Sequence, residues 1–128
     1  MNTLSPPIHR ATTITSSNME DFRTESRYGR DGTPTTDLLI NRLSNLYKAH
    51  GCVLTPSGMT SITAALMSVL KSKDHILIPD CILESARRYI EQEFPRLQIE
   101  FTFYNPRNLK KLETLIKRNT KAIYVESP

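Results

Sequence analysis

Thr55-Pro56-Ser57-Gly58-Met59-Thr60-Ser61 decides how the chain is read, because it joins an apolar run, Cys52-Val53-Leu54, to an amphipathic segment rich in Ala, Leu and Met. A strand that passes through a glycine turn into a helix leaves backbone N–H groups unpaired at the positive end of the helix dipole. An anion can bind there, and phosphate is the obvious candidate. Small polar residues before a helix also serve as a plain N-cap, so this stretch alone leaves both readings open. It is neither the dinucleotide glycine fingerprint nor a P-loop, since no second glycine and no Gly-Lys-Ser/Thr follow.

Working outward, strand and helix patterns alternate after Gly51. Residues 52–55 read as a short strand. Residues 59–70 read as a helix with Ile62, Leu66, Val69 and Leu70 inward and with Ala64 and Ala65 small enough for close approach to a sheet. His75-Ile76-Leu77-Ile78-Pro79 fits a parallel strand buried on both faces. Residues 84–94 predict a helix ended by Pro95, with Arg88, Glu91 and Gln92 on its wet side. Residues 99–103 alternate like a strand. Residues 108–117 are helical, with Leu109, Leu112, Leu115 and Ile116 inward, and 122–125 form another buried strand. The fold class is therefore α/β with a mainly parallel sheet and right-handed crossovers, whose ligands belong at the carboxyl ends of the strands.

Upstream, residues 1–34 are rich in Thr, Ser, Pro, Arg and Asn and show no periodicity. They read as an extended N-terminal arm, ahead of an α/β domain over 35–128. A structureless segment of this length is uncommon in a compact domain. Ile8, Ile14, Met19, Phe22 and Tyr28 give the arm apolar groups with which to dock, on another subunit. The first helix is expected to start with Thr35 or Thr36 as cap and to stop at Gly51, with Leu39, Leu43, Leu46 and Tyr47 as its buried face.

Composition bounds the functional classes. At 128 residues, 38% hydrophobic and without Trp, the chain has the make-up of one ordinary domain. The net charge of +4 comes from basic residues interleaved with Glu and Asp, so no nucleic-acid stripe is present. Cys52 and Cys81 fall in or beside apolar runs and suit small buried hydrophobes in a reducing compartment. Neither a signal-peptide core nor a run near the roughly 20 apolar residues of a membrane span occurs, and the expected location is the cytoplasm. His9, His50 and His75 are far apart without metal-ligand spacing, so no metal site is expected; His50 reads as a helix C-terminal cation. Arg87-Arg88 and Lys110-Lys111 read as solvated helix faces.

The order of pieces then becomes specific. An arm with Pro6-Pro7-Ile8 precedes Tyr28-Gly29-Arg30-Asp31-Gly32-Thr33-Pro34-Thr35, a capped helix, Ser57-Gly58-Met59, His75-Ile76-Leu77, and Lys121-Ala122-Ile123-Tyr124-Val125-Glu126-Ser127-Pro128. This series closely resembles the N-terminal portion of the pyridoxal-phosphate enzymes of cysteine and methionine metabolism, the cystathionine lyase and synthase family. Gly29 and Thr33 look more like the bacterial cystathionine β-lyase branch than the γ-enzymes.

The resemblance implies part of the large domain of the fold-type I, aspartate aminotransferase-like enzymes, with pyridoxal 5′-phosphate as cofactor, an amino-acid substrate and a homo-oligomer, a tetramer assembled from dimers. It implies that the Gly58 and Met59 amides bind the cofactor phosphate. Tyr28 and Arg30 would reach the phosphate of a neighbouring subunit, a task that suits the planar guanidinium fork. In relatives a Tyr stacks on the cofactor ring where Leu83 stands here, and Leu offers neither aromatic stacking nor a phenol. The Asp that pairs with the pyridine nitrogen and the Schiff-base lysine of a Ser-x-Thr-Lys stretch would follow Pro128, so no catalytic residue is assigned within the chain. The expectation is an N-terminal part of a carbon–sulfur β-lyase that converts cystathionine to homocysteine, pyruvate and ammonia. The alternatives are a γ-synthase or γ-lyase type and a non-catalytic remnant.

Overall fold

The computed structural model describes residues 5–10, 12–15, 18–20, 23 and 28–126, which divide into two compact units, Met1–Leu54 and Thr55–Pro128. Phe22, expected to dock the arm, and Ser127 and Pro128 lie outside the described residues.

In the first unit, helix α1 spans Pro34–Tyr47. Its cap is Thr33, two or three residues earlier than the sequence reading. The Thr33 hydroxyl accepts from the Thr36 amide while the Thr36 hydroxyl accepts from the Thr33 amide at 2.7 Å, a reciprocal capping box with proline at the first helical position. The helix stops at Tyr47, before Gly51, because Lys48 turns the chain in a left-handed conformation (φ 50°). Its expected buried face is not buried: Leu46 and Tyr47 are 73% and 76% exposed. Among the described residues of α1 none is buried. The arm touches α1 directly, since the His9 amide donates to the Thr35 hydroxyl at 2.8 Å and that hydroxyl donates to the Pro7 carbonyl at 3.3 Å. The expected strand at 52–55 does not form. Val53 is 86% exposed and the run pairs with no strand among the described residues, so its backbone lacks the partner a strand requires.

In the second unit, α2 (Gly58–Val69) leads to β1 (His75–Pro79), α3 (Glu84–Arg96) and β2 (Glu100–Tyr104). A 3₁₀ turn (Leu109–Lys111), a four-residue helix α4 (Leu112–Leu115) and β3 (Thr120–Ile123) complete it. The sheet is parallel in the order β2-β1-β3, with β1 central and all five of its residues buried, as a strand covered on both faces requires. Leu66, Leu70, Ile76, Ile78, Ile82, Ala86, Ile90, Phe94 and Ile99 form the core. Phe94 sits edge-on to Tyr89 and Phe101, with both centroid distances 6.2 Å.

Several expectations are corrected here. Val69, Ala64 and Ala65 are exposed, so α2 approaches the core through Leu66 and its neighbours alone. Pro95 lies inside the last turn of α3 without ending it. The stop comes at Gln98 (φ 57°), where the Ile99 amide bonds the Phe94 carbonyl and the Gln98 amide bonds the Pro95 carbonyl. The helix expected over 108–117 is only the 3₁₀ turn plus α4, with Leu109 and Ile116 exposed. Cys81 is exposed and Cys52 half-buried, so Cys81 is not the small core hydrophobe that was expected. No helix among the described residues is long and apolar enough to cross a membrane.

His75 is fully buried at the start of β1. Its Nδ1 meets the Thr120 hydroxyl at 2.7 Å and its Nε2 meets the Thr102 hydroxyl at 2.9 Å, so the ring ties β1 to both neighbouring strands. Burial lowers its pKa first and Lys117 lowers it further, while Glu100 opposes both. The unfolded chain therefore takes up a proton near 6.5 while the folded chain still resists it. Stability should be full above that pH and fall as pH drops through it towards the lowered folded value. Glu100, whose carboxyl is held low chiefly by its hydrogen bond to Lys117, loses its contribution only as pH falls below 4.5. Urea denaturation across pH, with His75→Gln as reference, checks this; an equal slope in both proteins between 6.5 and 4.5 would assign the loss elsewhere.

Candidate functional site

The start of α2 gathers a cluster of polar groups in the second unit. Ser57 is extended (φ −156°, ψ 159°), caps α2 by accepting from the Thr60 amide at 3.1 Å, and meets the Thr60 hydroxyl at 2.9 Å. The Thr55 hydroxyl donates to the Ser57 carbonyl at 3.0 Å and contacts the Ser61 hydroxyl at 2.5 Å. Both readings of this stretch thus coexist: Ser57 is the N-cap, and the next two amides, of Gly58 and Met59, are engaged by no hydrogen bond among the described residues. A methyl group placed on Gly58 would meet no atom within 4 Å. The backbone there is open to an approaching oxygen, and the dipole of a 12-residue helix favours a negative one. This arrangement fits the phosphate group of the cofactor that the resemblance implies.

Met59 is fixed by a second element, because the Ser85 hydroxyl in the first turn of α3 donates to its Sδ at 3.3 Å. Ser85 lies with Leu83, Arg88 and Tyr89 along a groove of about 560 Å³. Leu83 caps α3 with no side-chain bond and is 52% exposed; its amide donates to the Glu126 carboxylate at 3.4 Å. The strand ends are stitched together as well. The Asp80 amide bonds the Tyr104 carbonyl at 2.8 Å, and the buried Tyr104 hydroxyl donates to the Tyr124 carbonyl at 2.9 Å.

Tyr28 and Arg30 belong to the first unit. Tyr28 forms an antiparallel bridge with Thr13, and the Gly29 amide bonds the Thr12 carbonyl at 2.8 Å. The Arg30 guanidinium sits 4.9 Å from the centre of the Tyr28 ring and 3.9 Å from the Asp31 carboxylate, with its side chain 80% exposed. The structure brings Tyr28 to Arg30 and Gly58 to Met59, each pair within its own unit.

Sequence reasoning missed Ser85 and Arg87. Arg87, read as a solvated charge, has a side chain only 28% exposed and stacks on Phe103 at 4.0 Å. Its neighbour Arg88 is solvated as expected and pairs loosely with Glu84 at 3.9 Å. Among the described residues no group of three His, Cys, Asp or Glu could hold a metal ion.

The family model described as "Cys/Met metabolism PLP-dependent enzyme" matches residues 1–128. The chain is 38% identical over 101 residues to "Cystathionine beta-lyase MetC" of Staphylococcus haemolyticus, covering 79% of this chain and 26% of that protein. It is 32% identical over 133 residues to an "L-methionine gamma-lyase" of Fusobacterium nucleatum, covering 98% and 34%. The crystal structure of metB from Corynebacterium glutamicum superposes with a TM-score of 0.89 at 28% identity, over 98% of this chain and 33% of that one. The chain spans about a third of the length of the curated relatives it matches.

Proposed function

Since the chain belongs to the Cys/Met-metabolism family of pyridoxal-phosphate-dependent enzymes, we propose that it is the phosphate-holding part of a cytoplasmic carbon–sulfur β-lyase that takes cystathionine to homocysteine, pyruvate and ammonia. The observation that carries this reading is the pair of unengaged amides at Gly58 and Met59, set beside the Ser57 and Thr60 hydroxyls at the positive end of α2.

When bound, the cofactor would act as an electron sink that acidifies the substrate α-carbon and lets the sulfur leave. The chain's own residues hold and cover it. The Gly58 and Met59 amides take phosphate oxygens. Leu83 covers the ring with an apolar surface but cannot move a proton. Tyr28 and Arg30 serve the phosphate of a neighbouring copy in a homo-oligomer, with the arm over 1–34 as the reaching segment. The exposure of the Arg30 side chain supports that task, because its guanidinium, placed against the Tyr28 ring and only loosely paired with Asp31, stays accessible to an anion. A γ-lyase or γ-synthase is the second reading, favoured by the 32% identity to an L-methionine gamma-lyase.

Titration of the isotope-labelled chain with inorganic phosphate and with pyridoxine 5′-phosphate tests the site. The latter carries the same phosphate and ring without an aldehyde to react with surface lysines. Both ligands should shift the Gly58 and Met59 amide resonances in a saturable way, the second more tightly than the first. Amides that stay in place at saturating ligand would leave Ser57 as a cap and nothing more.

A further inference from the structure

We propose that Arg87 is a positioning residue that clamps the Asp80–Leu83 turn to the sheet and so sets where Leu83 stands at the carboxyl end of β1. Its backbone amide bonds the Leu83 carbonyl at 3.0 Å, as the first helical turn requires. Its side chain does more. One guanidinium nitrogen donates to the Asp80 carbonyl at 2.9 Å, a second donates to Glu91 at 3.1 Å, and the flat face lies 4.0 Å from the centre of the Phe103 ring on β2. The Asp80 amide in turn donates to the Tyr104 carbonyl of β2, so both the N–H and the C=O of Asp80 are engaged.

Apart from the Ile82 amide bond to the Pro79 carbonyl at 3.2 Å, the turn has little else to hold it. Leu83 occupies the cap position of α3 without a capping side chain, and its own amide has only the 3.4 Å contact to Glu126. Asp80, Cys81 and Leu83 are exposed, leaving Ile82 as the only buried anchor of the four. Phe103 in turn packs edge-on to Phe101 at 5.5 Å, and Phe101 to Phe94 at 6.2 Å, so the clamp is seated on the core through a row of rings. A lysine could not replace Arg87, because it has no plane to stack on Phe103 and only one nitrogen from which to reach both Asp80 and Glu91. The task assigned to Leu83, covering the cofactor ring, rests on the reading under Proposed function; the clamp itself does not.

The test uses the full 128-residue chain and its Arg87→Lys variant. Amide hydrogen exchange at Ile82, whose amide bonds the Pro79 carbonyl at 3.2 Å, should accelerate roughly tenfold or more in the variant, as expected when a charge-assisted bond and a stacked guanidinium are lost together. Exchange at Ile76, Leu77 and Ile78 should stay unchanged. With pyridoxine 5′-phosphate, the Gly58 amide shift should persist in the variant, while the Leu83 methyl shift expected of the parent chain should fade. Unchanged exchange at Ile82 would overturn the proposal, and so would acceleration spread evenly over the sheet, which would make Arg87 a packing residue only. If neither protein shows a Gly58 shift, the cofactor reading fails and the exchange comparison still decides the clamp.

Discussion

Phe94→Ala should lower the stability of the Thr55–Pro128 unit by about 3–5 kcal/mol, the usual range for removing a fully buried ring. Phe94 is 0% exposed, it is the largest of the fully buried side chains, and its ring joins Tyr89 on α3 to Phe101 on β2. Truncation removes its transfer free energy, opens a cavity between helix and sheet, and forfeits two edge-to-face contacts worth about 0.5–1.5 kcal/mol each. Against a total of roughly 5–15 kcal/mol for a typical domain, that leaves little margin. Because the chain has two compact units, a single melting curve mixes them, and the loss is best read from exchange protection of Ile76, Leu77 and Ile78. Phe94→Leu keeps much of the volume and should cost clearly less. A cost below about 1 kcal/mol for the alanine variant would mean that α3 settles onto the sheet without this ring, and that the core lies elsewhere.

What could be read from the sequence followed from local pattern. The five-residue run His75 to Pro79 fits a strand covered on both faces, and the Ser57-Gly58 stretch before an Ala-rich segment reads as a helix start; both are found. What could not be read depended on a partner distant in the chain. The apolar run 52–55 has the composition of a strand but acquires that structure only when its backbone is paired, which does not happen here. The stripe of Leu39, Leu46 and Tyr47 has helical period, yet period says that a face is apolar and not that it is covered.

The same limit explains the polar residues that were misjudged. Arg87 next to Arg88 looks like a wet pair, and only the placement of Phe103 sixteen residues later turns the first guanidinium into a stacked clamp. His75 in an apolar run invites no role from sequence. It is tolerated in the core because Thr102 and Thr120, both on other strands, supply the two hydroxyls that its ring nitrogens need. Thr35 and Thr36, after the proline, carry hydroxyls that suit a helix start, yet Thr33 is the cap. The proline itself settles the choice, since it prefers the first helical position, and Thr33 is then the residue before it.

Gly58→Pro should abolish most of the affinity for pyridoxine 5′-phosphate while leaving α2 folded. Proline is accepted at the first helical position, where its missing N–H costs the helix nothing, and it asks only that the preceding residue be extended. Ser57 already is, with φ −156° and ψ 159°. The proline Cβ would enter open space, since no atom beyond the adjoining residues and the helix's own backbone lies within 4 Å of that position. Neither the Ser57 cap on the Thr60 amide nor the Ser61 amide bond to the Ser57 carbonyl uses the Gly58 N–H. Stability should therefore stay within about 1 kcal/mol of the parent. An anion at this turn, by contrast, loses one of its two amide donors and finds carbon where an oxygen would sit. Losing one charge-assisted bond of about 1.5–3 kcal/mol corresponds to roughly ten- to a hundredfold weaker binding, and the steric term adds to it. Gly58→Ala separates the two effects, because it keeps the donor and adds only the carbon. Circular dichroism and a ligand titration on the three proteins check the expectation. Equal affinity in the parent and a folded Gly58→Pro variant would show that the ligand does not use this amide, and the phosphate site would have to be sought elsewhere in the chain.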